Sequence, residues 1–175
     1  MQFVEKYLAL ASINGSNGWL LDIGCGEGER RSHFMDKRYA GIDPLLLRSS
    51  YDFPFVLGVA EAMPFAPQIF DVIISIEALD HFAHAERAAK EMMRVLRPGG
   101  ALLIFVGTCQ GESMERAENG PVEISNISEE DVHTCAFVPA DLKDLFTEAF
   151  EQFNIDQYGR YQVFWGWGKR LLPSS

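Results

Sequence analysis

The stretch "LLDIGCGEGE" (residues 20–29) constrains this chain more than any other. It opens as a short unbroken apolar run, as a strand buried on both faces would, then breaks into glycines at alternate positions. Gly24, Gly26 and Gly28 leave no side chain where the backbone bends toward a following helix. A ligand can therefore approach the main chain and the free N–H groups of the helix start. One glycine here would read as a strand-to-helix turn needing positive φ. Three at alternate positions, directly after an apolar strand, point to a ligand seat. The spacing is GxGxG, and Glu29 stands where a GxGxxG fingerprint ends in glycine, which counts against a nicotinamide-dependent dehydrogenase.

The unit of buried strand, turn and helical segment recurs along the chain. "WLLDI" (19–23), "YAGID" (39–43), "FVLGVA" (55–60), "FDVIISI" (70–76) and "ALLIFVG" (101–107) read as five strands. Before the fifth, Ala85, Ala88, Ala89, Met92, Met93 and Leu96 share one helix face, with charges opposite, and "RPGG" (97–100) stops the helix. The earlier crossovers are short: 29–37 allows about two helical turns and 44–52 little more than one. "PADLKDLFTEAF" (139–150) starts like a helix, and "QFNIDQY" and "YQVFWGWGKRL" form an antiparallel hairpin around Gly159-Arg160. Alternating strands and helices predict an α/β sandwich with helices on both sheet faces and a ligand at the carboxyl ends of the strands.

At 175 residues the chain reads as a single domain, 1–175, with no repeat or linker. Residues 108–135 carry seven acidic groups against one arginine and read as an excursion off the sheet, a lid or substrate loop. No apolar run approaches the roughly 20 residues of a membrane span, and the N-terminus lacks a signal-peptide pattern, so a cytoplasmic protein is expected. "MQFVEKYLALAS" leaves room for one helix before the first strand, with no added recognition domain. The net charge of −10, with 15 basic residues scattered among 25 acidic ones, works against a nucleic-acid partner. Cys25, Cys109 and Cys135 are widely spaced and suggest neither a disulfide framework nor a metal site.

Two aspartates narrow the ligand. Asp22, two residues before the first glycine, would repel a pyrophosphate and suits a ligand with a cationic part. Asp43 ends the second strand, where a carboxylate can accept from two ribose hydroxyls. Each alone is commonly a turn or cap residue. Together, at neighbouring strand ends, they suggest a nucleoside attached to an amino acid.

"LLDIGCGEG", "GIDP", "VLGVAEAMPFAPQIFDVIIS", "EALDHF" and "EMMRVLRPGGALLIF" resemble, in this order and spacing, a class I S-adenosylmethionine-dependent methyltransferase of the small-molecule, type 11-like kind. The resemblance covers residues 20–105, and the terminal helix and hairpin are similar too. It implies a Rossmann-like doubly wound sheet of seven strands in the order 3-2-1-4-5-7-6, mostly parallel with a C-terminal antiparallel hairpin. Gly24, Cys25, Gly26 and Gly28 would pass under the methionine portion, with Asp22 near its ammonium. Asp43 would bind the ribose, Pro44 and Leu45 would flank the adenine, and Ala60 and Glu61 would sit at its edge. Ser75 and Ile76 would line the floor near the sulfonium. S-adenosylhomocysteine would be the product. Where the family commonly has an acid for the adenine amino group, this chain has Val59; either Glu61 or a backbone carbonyl would substitute, or cofactor affinity would be reduced.

The implied activity is methyl transfer to an O, N or C nucleophile of a small molecule or carrier-borne metabolite. His81, in "EALDHF", is the candidate general base, or else a cap of the following helix. Asp80, Glu77 and His133 are weaker candidates. Cys25 reads as a small residue inside the loop, and "FWGWG" (164–168) as an aromatic wall for a substrate or, more commonly for such a strand, as sheet packing or the edge of a homodimer. Two rivals stay open: a non-catalytic binding or regulatory protein on the same fold, and a nicotinamide-dependent oxidoreductase.

Overall fold

A computed structural model of the chain describes residue 6 and residues 17–107, 122–123, 135–136, 139–159 and 161–171. At its centre lies β1 (Trp19–Ile23), parallel to β2 (Arg38–Asp43) on one side and β4 (Phe70–Ile76) on the other. β3 (Phe55–Leu57) extends the sheet beyond β2, and β5 (Leu96–Gly107) beyond β4, both parallel. β8 (Phe150–Tyr158) and β9 (Tyr161–Lys169) form the antiparallel hairpin, with β9 against β5. The order is β3-β2-β1-β4-β5-β9-β8, which is 3-2-1-4-5-7-6 when the seven strands of this sheet are counted alone. The expected architecture is present.

Because successive strand residues face opposite ways, each apolar run feeds two cores. Leu21, Ile23, Ile42, Ile73, Leu102 and Ile104 face one side, where α1 (Ala85–Val95) lays down Ala88, Ala89 and Met92 and α2 (Pro139–Phe146) adds Leu142 and Phe146. Leu20, Tyr39, Val72, Ile74 and Leu103 face the other side. There the described cover is Phe34, from a 3-10 helix over Glu29–Phe34, together with Phe53. At least among the described residues, α-helix covers only the first face.

Several boundaries differ from the sequence reading. The crossover after β1 is a single 3-10 helix; rising about 2.0 Å per residue instead of 1.5 Å, it returns the chain to β2 in fewer residues. Residues 44–52 form no helix. There Tyr51 stacks on Phe55 with ring centroids 4.1 Å apart, and aromatic packing replaces a helical crossover. β3 stops at Leu57, where the Gly58 N–H donates to the Asp43 carbonyl and the chain leaves the sheet. β5 begins at Leu96, directly from α1: Leu96 pairs with Phe70, and "RPGG" is absorbed as a register shift before Ala101 pairs with Val72. α2 ends at Phe146, a 3-10 turn spans Thr147–Ala149, and β8 starts at Phe150.

Within the acidic excursion β6 (Val122–Glu123) pairs antiparallel with β7 (Cys135–Ala136). Apart from Lys6, which is helical, the expected N-terminal helix lies outside the described residues, as do Cys109, His133 and the rest of the excursion. No helix among the described residues is long and apolar enough to cross a membrane.

Candidate active site

The carboxyl ends of β1, β2 and β4 meet at the glycine turn. Gly24, Gly26 and Gly28 all hold positive φ, at 72°, 55° and 84°. Their surroundings divide them. A Cβ on Gly24 would strike the Ala78 methyl at 2.4 Å, and one on Gly28 would strike the Phe53 ring at 2.4 Å, so packing alone demands glycine there. A Cβ on Gly26 would meet nothing within 4 Å. The space beside Gly26 is what a close-lying ligand needs.

Both oxygens of Asp43 brace this turn. Oδ2 accepts from the Gly26 N–H and Oδ1 from the Leu45 N–H, each at 2.9 Å. A carboxylate offers about four lone-pair sites, so these bonds leave capacity for hydroxyl donors. On the far side the Tyr51 hydroxyl donates to the Gly26 carbonyl at 3.2 Å. The Gly24 and Cys25 N–H groups both donate to the Ile42 carbonyl. Cys25 is buried, and burial with the fields of Asp22 and Asp43 pushes its thiol up to about 12, which removes it as a nucleophile at neutral pH.

Asp22 has no exposed surface and lies beneath the turn, on the Tyr39 side of the sheet. The Tyr39 hydroxyl donates to its Oδ2 at 2.5 Å, while Oδ1 has no hydrogen-bond partner among the described residues. Burial raises its pKa from 3.8 to about 6, against the lowering effects of the Arg30 guanidinium and the Tyr39 bond. A carboxylate so placed is mostly ionised at neutral pH and under-satisfied, so positive charge brought to the turn would stabilise it.

On the α1 side the strand ends open into a cavity of about 340 Å³. Gly24, Pro44, Ala60, Glu61 and His81 line it, with Val59 at its wall. The loop carrying Ala60 and Glu61 is tied to α1: Glu91 accepts from the Met63 N–H, and Arg94 donates to the Met63 and Phe65 carbonyls. Glu61 Oε1 accepts from the His84 N–H at 3.1 Å, at the start of α1. That cap position belongs to His84 rather than His81, so the capping reading of His81 loses its ground. The His81 ring is one-third exposed, with Nε2 3.8 Å from Asp80 Oδ1.

Leu45 lies outside the cavity lining and is 59% exposed. Ser75 and Ile76 are buried beside the cavity rather than in it; the Ser75 hydroxyl has no described partner, and the Ile76 carbonyl accepts from Arg30. Glu77, next along, is exposed with φ +53°, a strained value for a residue with a side chain. A larger groove of about 700 Å³ lies between α1, α2 and the end of β9, near the amino ends of β4 and β5. It is lined by charged groups of α1, α2 and β9 and by none of the residues expected at the site, several of which line the smaller cavity.

Sequence reasoning passed over Arg30, Tyr39, Tyr51 and Phe53. Arg30 and Tyr51 act across 46 and 25 residues of chain, beyond any local pattern. The aromatic cluster "YDFPF" (51–55) was the one available signal.

Residues 21–104 match the family model described as a methyltransferase domain. Over that segment, just under half of its length, the chain is similar to a methyltransferase domain. Over 104 residues it is 36% identical to the phthiotriol/phenolphthiotriol dimycocerosates methyltransferase of Mycobacterium leprae, covering 51% of this chain and 38% of that protein. The chain thus spans little more than a third of that relative's length. Among solved structures, a Pyrococcus horikoshii protein superposes with TM-score 0.71 at 19% identity, covering 97% of this chain and 90% of the other. The YcgJ protein of Bacillus subtilis gives 0.70 at 19% identity, over 90% and 71% of the two chains. At such identities these likenesses show a shared fold.

Proposed function

We propose that this chain binds S-adenosylmethionine and transfers its methyl group to an O, N or C nucleophile of a small molecule or carrier-borne metabolite. The observation that carries this reading is the open, positive-φ Gly26 in the turn that follows Asp22, whose buried Oδ1 has no partner among the described residues. A flexible peptide turn needs neither feature; a cationic amino-acid nucleoside suits both. When bound, the sulfonium supplies an already activated methyl electrophile, so the protein must mainly hold the acceptor in line and exclude water.

In this reading Gly24, Cys25, Gly26 and Gly28 carry the amino-acid end, with Asp22 acting on its ammonium from beneath the turn. Asp43 takes the ribose hydroxyls on lone pairs left by its two backbone bonds. Pro44 and Leu45 flank the adenine, Ala60 and Glu61 meet its edge, and Val59 offers an apolar wall where an acid would have accepted a hydrogen bond. Ser75 and Ile76 support the floor from below. His81, facing the same cavity, removes the acceptor's proton when that proton must leave early. β7 runs beside the turn at Leu79–His81, and residues 108–135 are proposed as the substrate loop.

The test is a metabolite screen reading S-adenosylhomocysteine release. Acceptor-dependent release supports the reading. Tight cofactor binding without turnover on any acceptor, together with a tightly bound protein partner, would favour a non-catalytic protein on the same fold.

A further inference from the structure

The seven-stranded sheet ends on two unlike edges. At one end β3 is three residues long and follows Pro54, so it offers little backbone for another strand. At the other end β8 runs for nine residues, Phe150–Tyr158, and among the described residues it is paired on its β9 side alone. Edge strands are ordinarily blunted by short length, lysine, proline or a bulge, because a long open edge is a template for another chain. β8 holds no Lys, Arg, Pro or Gly, and its register with β9 runs unshifted from Gln152 to Tyr158. Residues 151–154 are exposed, and Phe153 keeps 43% of its surface in solvent although its ring stacks on Phe164. "FWGWG" is not this edge, since it lies on β9, flanked by β5 and β8.

The order of residues along the edge says what it fits. Residues 151–157 read Glu-Gln-Phe-Asn-Ile-Asp-Gln, a chemical palindrome about Asn154. Two copies related by a two-fold axis perpendicular to the sheet run antiparallel with matching faces, so a residue can oppose only one an even number of positions away. Centred on Asn154, such pairing puts Glu151 opposite Gln157, Gln152 opposite Asp156 and Phe153 opposite Ile155 of the second copy. Each carboxylate then meets a primary amide, which has two N–H donors, and no like charges are opposed. Gln157 donates to the Gly159 carbonyl at 2.7 Å and has a second N–H to offer. Phe153 and Ile155 lie on one face, beside the core under α1 and α2, so each copy covers the other's exposed ring. A shift of two positions, the smallest that keeps the faces matched, spoils the fit. In one direction Glu151 opposes Ile155, and in the other Phe153 opposes Gln157.

We infer that β8 is a homodimer edge: two copies of this chain pair antiparallel through residues 151–157, with Asn154 on the two-fold axis. The two seven-stranded sheets become one continuous sheet. The axis reverses strand direction, so the carboxyl ends of the parallel strands, with their cavities, open on opposite sides of the assembly. Neither copy obstructs the other, and the inference does not rest on the proposed function. With a net charge of −10 on each copy, long-range repulsion opposes the pairing, and added salt should tighten it.

Sedimentation over a concentration series reads the dimer, on the wild type and on two variants that add the same charge at exposed positions. Gln152→Lys sets an ammonium opposite Asp156 at two symmetry-related places and should tighten the dimer by roughly two- to thirtyfold. Asn154→Lys sets two ammonium groups opposite each other on the axis and should loosen it by up to about fivefold. A general effect of net charge would move both variants the same way. Hydrogen exchange on the wild type, compared at low and high concentration, reads the face without a variant. Slowed exchange should appear within residues 151–157 and not at β3. A wild-type chain that stays monomeric up to roughly 1 mM overturns the inference. So do variants that shift the dimer in the same direction, a variant that leaves it unmoved, or protection that appears elsewhere than β8.

Discussion

Asp22 offers the sharpest quantitative test, because its burial gives stability and ligand binding opposite demands. The rise of its pKa from 3.8 to about 6 corresponds to about 3 kcal/mol. Between those two values the folded chain retains a proton that the unfolded chain has released. The contribution is therefore fully present below pH 3.8 and is lost as pH rises through 6. Asp22→Asn removes the titration and keeps the shape and the Tyr39 hydrogen bond. The difference in unfolding free energy between variant and wild type should shift by about 3 kcal/mol in the variant's favour from pH 3.5 to 7.5. Denaturant unfolding of both chains at several pH values measures it, and the other carboxylates cancel in the difference. S-adenosylhomocysteine should nevertheless bind the variant more weakly at pH 7.5. Wild-type affinity should fall as pH drops below 6, and variant affinity should not. A difference in stability that is flat with pH would refute the burial argument. Undiminished ligand affinity would remove Asp22 from the site.

Other consequences concern the turn and the candidate base. Gly26→Ala should abolish or sharply weaken cofactor binding while lowering stability by only about 1–2 kcal/mol, the strain of a side chain at positive φ; calorimetry and thermal melting separate the two effects. Tyr51→Phe should keep its stack on Phe55 and lose the bond to the Gly26 carbonyl, lowering unfolding free energy by about 0.5–1.5 kcal/mol, with a weaker cofactor affinity if the bond steadies the turn. Once an acceptor is found, His81→Ala should lower kcat by about 10²–10⁴-fold with cofactor Kd unchanged. A loss of stability with kcat intact would make His81 structural.

Much of this was readable from the chain. β1 and β4 are central strands buried on both faces, so "WLLDI" and "FDVIISI" are nearly unbroken by polar residues and announce themselves. The glycine turn was legible because its spacing differs from a dinucleotide fingerprint. The α1–β5 boundary was misplaced because "RPGG" looks like a loop, while Leu96 can pair with Phe70 only once β4 is alongside. Residues 44–52 looked like a short helix because local pattern does not disclose that Tyr51, Phe53 and Phe55 pack under the sheet. The same limit hid the site's supports. That Asp43 bonds the Gly26 N–H, that Glu61 caps α1 at His84 and that Arg30 reaches Ile76 are all products of tertiary approach. Residue type suggested a ligand contact at Asp43 and Glu61; the fold also gives each a bracing bond.

The most direct test of the central claim is a calorimetric titration of the wild-type chain with S-adenosylhomocysteine and, separately, NADH. Saturable one-to-one binding of the first and none of the second is the predicted result. Specific NADH binding with no response to S-adenosylhomocysteine would contradict the account.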